Sequence, residues 1–115
     1  MNLKEIFEFQ KQFDLKHGWH WEGRDEKETL ERLKYVAIAI AGESGEFANI
    51  VKKALRGNFP DGKLPDEEGM AKLKDELADI FIYTILASMV LKIDLEEEYF
   101  KKMKYNERKY KNLEK

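Results

Sequence analysis

A chain of 115 residues has room for a single domain, residues 1–115, built around one modest core. Charged residues make up 38% and apolar residues 43%, which argues against both a disordered tail and a membrane protein. A formal net charge of −2 argues against nucleic acid as a partner, and the lack of cysteine rules out disulfides, thiolate nucleophiles and cysteine-based zinc sites and suits a reducing cytoplasm.

The opening MNLKEIFEFQKQF mixes acids and bases among its apolar residues, unlike the h-region of a signal peptide. Leu3, Ile6, Phe7, Phe9, Gln10 and Phe13 recur as one face of an amphipathic first helix. A break, HGWHWEGRD, spans His17 to Asp25. Leu30, Leu33, Val36, Ala37, Ile40, Phe47, Val51 and Ala54 then return at spacings of three and four, predicting a helix from about Glu26 to Arg56 with Gly57 as its stop. Both prolines fall in the loop GNFPDGKLPDEEG. A third helix should start after Pro65, capped by Asp66, and run to about Leu91. A weaker break at Lys92–Asp94 places Asp94 as the cap of a fourth helix. No strand-like alternation competes, so the fold class is all-α.

The stretches Val36–Ala41 and Ile80–Leu91 are apolar almost all the way round a helix. The second is well short of the roughly 18 residues of a membrane span. A helix apolar on every side must be covered on every side. Either it is buried within one chain, or the second and third helices also pack on another subunit. Four helices of this size favour the second reading, a homo-oligomer (dimer or tetramer).

Glu5/Glu8, Glu28/Glu31 and Glu43/Glu46 all show the E-x-x-E spacing, so the spacing alone decides nothing. Context separates them. Glu28 and Glu31 sit in KETLERLK, an ordinary solvated turn, whereas Glu43 and Glu46 sit in VAIAIAGESGEFANIV. At about 100° per residue, Glu43 lies on the flank of the apolar arc near Ile40 and Phe47, with Glu46 toward its edge. Glu76 and Asp79 repeat the arrangement on the third helix. Carboxylates in an apolar setting are costly unless paired or bound to metal. Two i,i+3 pairs on antiparallel helices would form one all-oxygen cluster suited to Mg²⁺ or Mn²⁺. Structural ion pairs with Lys or Arg from neighbouring helices are the competing reading. A ferritin-type di-iron site is disfavoured because its Glu-x-x-His pairs are missing, the two histidines, His17 and His20, lying elsewhere. Gly42, Ser44 and Gly45 keep the backbone beside the acids slim, which would leave space for a ligand; as a Gly-x-x-Gly motif the Gly42/Gly45 pair reads as close packing rather than a phosphate loop.

The strings AGESGEFANIVKK and LKDELADIFIYTILA, followed by KIDLEEEYFKKMKYNERKY, resemble the E-x-x-E … E-x-x-D signature and final helix of MazG-like nucleotide pyrophosphohydrolases. The resemblance covers roughly Val36 to Tyr110. The gap between the half-motifs is somewhat long, the extra residues falling in the Pro/Gly loop. The resemblance implies a four-helix all-α fold completed by oligomerisation, and hydrolysis of an NTP or dNTP to the monophosphate and pyrophosphate. It implies Glu43, Glu46, Glu76 and Asp79 as Mg²⁺ ligands, with Glu46 as the candidate that orients water. Phosphoribosyl-ATP pyrophosphohydrolase, which shares such a site, and a non-catalytic helical oligomerisation module are the alternative functions.

Lys53 falls on the Glu46 face and either meets a phosphate or is solvated. Lys102, Asn106 and Lys109 sit at helical spacing; the resemblance implies phosphate or sugar contacts, and spacing alone implies a solvated face. Trp19 and Trp21 flank His20 in the first break and either stack on a nucleobase or lid the helix ends. His20 itself reads as a hydrogen-bonding loop residue.

Overall fold

A computed structural model describes residues 1–58 and 63–115, so the middle of the expected Pro/Gly loop, residues 59–62 with Pro60, lies outside the described residues. Four helices follow one another: α1 (Leu3–Lys16), α2 (Glu26–Lys53), α3 (Glu67–Leu91) and α4 (Leu95–Lys109). Among the described residues there is no strand, and no helix is long and apolar enough to cross a membrane.

Each helix begins at an Asx residue. The side chains of Asn2, Asp25, Asp66 and Asp94 accept from the backbone N–H three residues on, satisfying a donor that the helix itself cannot. The expected caps Asp66 and Asp94 are therefore in place. α2 ends three residues before the expected Arg56, passing into a wider turn over Ala54–Asn58 in which Gly57 takes a left-handed φ of 81°. That conformation is open to glycine at little cost and stops the helix. α3 ends at left-handed Lys92, whose ammonium donates to the carbonyl of Gly23 at 3.3 Å and ties the α1–α2 loop to the end of α3.

α2 and α3 form the principal pair. Val36 packs with Leu86 and Val90, while Glu43, further along α2, faces Glu76 and Asp79, further back on α3, so the two helices are antiparallel. Trp21, Leu33, Ile40, Ile82, Tyr83 and Met89 surround the buried trio. α1 leans on α3, and α4 makes no extended packing with α1, α2 or α3.

The core is correspondingly small. Val36 is fully buried, but Ile38 on the opposite side of the same helix is 65% exposed, and Phe81 and Leu77 on α3 are also open. The chain exposes 9315 Å², against about 6,600 Å² for a compact monomer of its mass. Its radius of gyration is 17.8 Å, against about 13 Å for a compact domain of this length.

Candidate active site

The antiparallel α2–α3 pair brings three of the expected carboxylates together. Glu43, Glu46 and Glu76 each offer an oxygen within 4.8 Å of the others, and Glu76 belongs to a second such group with Asp75 and Asp79. The i,i+3 spacings put each pair on one face, and the helix crossing sets the faces against each other. Asp75 is a fifth acid that spacing did not single out.

Among the described residues no cation answers this charge. The ion pairs among the described residues are Arg24–Glu28, Arg32–Glu28 and Lys72–Glu68, all one turn apart and none touching the cluster. The buried oxygens Glu43 Oε2 and Glu76 Oε2 have no hydrogen-bond partner. The structural ion-pair reading is therefore not met within the chain. Instead the acids bear on one another. The close approach of Glu43, reinforced by burial and by Glu46, pushes the Glu76 carboxyl up to about 8 from the usual 4.5. Burial, then the charges of Glu43, Asp75 and Glu46, raise Asp79 as well. At neutral pH the cluster thus retains a proton where a divalent cation would otherwise supply the positive charge. An all-carboxylate donor set with orphaned oxygens fits a hard, oxygen-preferring ion such as Mg²⁺ or Mn²⁺.

A pH dependence follows. The folded chain binds the Glu76 proton more tightly than the unfolded chain, so this group's contribution to stability is full below about pH 4.5 and lost as pH rises through 8. In EDTA, the melting temperature of wild type should fall relative to that of Glu76→Gln across this range. Parallel curves would show that Glu76 titrates normally.

Beside the cluster lies a cavity of about 820 Å³. Phe9, Phe13, Gln10 and Asp14 of α1 line one side, Arg32 and Tyr35 of α2 another, and Ile82, Tyr83 and Leu86 of α3 the floor. The α1–α2 loop adds Trp19, His20 and Trp21. Trp19 stacks on His17 at 5.1 Å between centroids, and His17 packs on Phe13 at 4.4 Å. Trp21 lies against Tyr35, and its indole N–H has no partner. Tyr83 joins the two regions. It lines the cavity one turn after Asp79, and its hydroxyl is raised by burial, then by Tyr35 and by the charge of Glu43.

The remaining expected residues are not gathered here by the single chain. Lys53 is exposed at the end of α2. Lys102 and Lys109 lie over their own neighbours Tyr105 and Tyr110, and half-buried Asn106 donates to the Met103 sulfur at 3.9 Å. Gly42 and Gly45 correct the close-packing reading: a Cβ at either would meet nothing within 4 Å, so they border open space. Sequence reasoning missed Asp14, although Phe7, Gln10 and Asp14 continue one face of α1 at steps of three and four.

The profile of the MazG nucleotide pyrophosphohydrolase domain matches residues 31–112, which hold all four acids. The chain belongs to this family. Among curated relatives, dCTP pyrophosphatase 1 of Homo sapiens is 28% identical over 109 residues, covering 94% of this chain and 58% of the relative. The Bos taurus protein of the same name is also 28% identical, with 94% and 59% covered. Gene 37 protein of Mycobacterium phage L5 is 39% identical over 61 residues, 53% of this chain and 51% of the relative. The chain thus spans between about half and three-fifths of the length of these relatives.

Proposed function

We propose that this chain hydrolyses a nucleoside or deoxynucleoside triphosphate to the monophosphate and pyrophosphate, with Mg²⁺, or Mn²⁺ in its place, held by Glu43, Glu46, Glu76 and Asp79. The observation that carries the reading is a pair of three-carboxylate groups sharing Glu76, with no cation paired to them among the described residues, one helical turn from an aromatic-walled cavity. Bound there, the ion would neutralise phosphate charge and make a water nucleophilic near neutral pH. Water attacks phosphorus, the P–O bond to the pyrophosphate breaks, and pyrophosphate leaves. Glu46 is the exposed member of the cluster, so its carboxylate can hold the attacking water and accept its proton. Trp19 and Trp21 stack the base in the cavity, and Tyr83 lies between base and acids. Lys53, Lys102, Asn106 and Lys109 are the proposed phosphate and sugar contacts, those of α4 reaching a site through assembly.

We also propose at least a dimer, in the cytoplasm where nucleotide pools lie. The surface in excess of a compact monomer is about 2,700 Å² per chain, the scale of an obligate interface.

The test is a screen of nucleotides for Mg²⁺-dependent pyrophosphate release. Pyrophosphate and monophosphate in equal amounts are expected. No release from any nucleotide with either ion, or orthophosphate as the product, overturns the reading. In the same assay Trp19→Ala and Trp21→Ala should raise KM roughly 5- to 150-fold, the worth of one stacked base, with little change in kcat. An unchanged KM in both would leave the tryptophans as a lid over the helix ends.

A further inference from the structure

Asp14 is a buried carboxylate with no role in the cluster of acids. It is 2% exposed, and it lines the aromatic cavity. Its Oδ1 accepts from Gln10 Nε2 at 3.0 Å, which fixes the carboxylate plane and the orientation of the Gln10 amide together. Its Oδ2 is buried and has no partner. No ion pair among the described residues involves it. The backbone cannot relieve it, because the N–H groups of His17 and Trp19 are spent on the Asp14 carbonyl. Oδ2 is therefore a strong acceptor waiting for a donor, in a cavity that Arg32, whose own buried Nε has no partner, also lines. Trp21 Nε1, lining the same cavity, is an unpartnered donor.

We propose that Asp14 selects the base: the cavity takes nucleotides whose base carries an exocyclic amino group beside an unprotonated ring nitrogen, as in cytosine and adenine, over uracil and thymine. This rests on the nucleotide reading above. The amino N–H of such a base donates to Oδ2, and the adjacent ring nitrogen accepts from the unpartnered Arg32 Nε–H of the cavity wall. Uracil and thymine present a carbonyl where the amino group would be. Their ring N–H lies between two carbonyls, so reaching it brings two further acceptors against the carboxylate. The base then costs the site its hydrogen bond and adds repulsion, which is how a site built around a buried polar group discriminates. Gln10 deepens the effect, since its amide already donates to Oδ1 and cannot rotate to rescue Oδ2 without losing that bond.

The test is equilibrium binding, read by quenching of tryptophan fluorescence, with Ca²⁺ in place of Mg²⁺ so that no turnover is required. Wild type is titrated with dCTP and dUTP, which differ at the proposed contact. Wild type should bind dCTP roughly 10- to 100-fold more tightly, the range expected for a hydrogen bond to a charged group. In Asp14→Asn the shape is kept and Gln10 holds the amide oxygen, so an NH₂ group replaces Oδ2. The dCTP preference should vanish or reverse. Equal affinities in wild type overturn the proposal, and this arm needs no variant. A dCTP preference undiminished in an Asp14→Asn protein of wild-type helicity overturns it as well. A dCTP preference in Ca²⁺ without pyrophosphate release in Mg²⁺ would sink the hydrolase reading and leave Asp14 as the selector. Release from both nucleotides with equal affinities would do the reverse.

Discussion

Glu46→Gln and Asp79→Asn should each lower Mg²⁺-dependent pyrophosphate release by about two orders of magnitude or more, the scale of losing a positioned acid–base or ligand group. Both substitutions keep size and remove a negative charge. Their effect on stability has a sign that separates two physical pictures. The acids around Glu76 and Asp79 raise the affinity of those two for protons, and among the described residues they hold no cation. Removing one of several mutually repelling carboxylates should leave the melting temperature in EDTA unchanged or higher. If an acid were instead half of a buried ion pair, the same change would strand a cation and cost about 3–5 kcal/mol. A variant that melts well below wild type in EDTA yet keeps its Mg²⁺-dependent activity would sink the metal-site reading.

Sedimentation at micromolar concentration should show a dimer or larger species, and Ile38→Glu should weaken it by at least tenfold in the dissociation constant, about 1.4 kcal/mol. Ile38 lies on the open side of α2, across from buried Val36. On a true surface, such a change would shift stability by no more than about 0.5 kcal/mol. In a packed interface it buries a charge without a partner, which is costly. A well-folded monomer of wild type at that concentration, or an Ile38→Glu protein that assembles normally, would refute the interface.

Local chemistry was legible in the sequence, and distant juxtaposition was much less so. Asp66 and Asp94 announce helix starts because a cap acts within three residues of itself. Gly57 announces a stop, but the α-helical pattern yields to a wider turn at Ala54, and periodicity does not register that change. Glu43 stood out from Glu28 by its apolar neighbours; Glu28, read as solvated, is mostly covered and has two arginine partners, and Glu43 has none among the ion pairs described. Glu76 and Asp79 stood out by the same spacing and setting, and the family resemblance matched the same four acids; both passed over Asp75. Gly42 and Gly45 drew two readings, room for a ligand and close packing, because bare backbone looks the same in sequence whether open space or a neighbour lies against it; within the chain the space is open. Asp14 was invisible for a different reason. The cavity that makes its orphaned oxygen matter is assembled from α1, α2, α3 and a loop, and no window of sequence contains all four. The amphipathic pattern of α4 shows that it has a face to bury, not what buries it.

The Asx cap at the head of every helix has a kinetic side. Each start is specified by residues that are neighbours in the chain, so helices can nucleate before any distant contact exists, on a scale of about 0.1–1 μs. Joining α2 to α3 then closes only the connection between them, and α1 has little to dock on but α3. In the proposed dimer, what then remains is the meeting of molecules, the one step whose speed depends on how many there are. On dilution from denaturant, helical signal should thus recover first and independently of protein concentration. Catalytic competence should lag behind it, by a delay that lengthens as the solution is made more dilute.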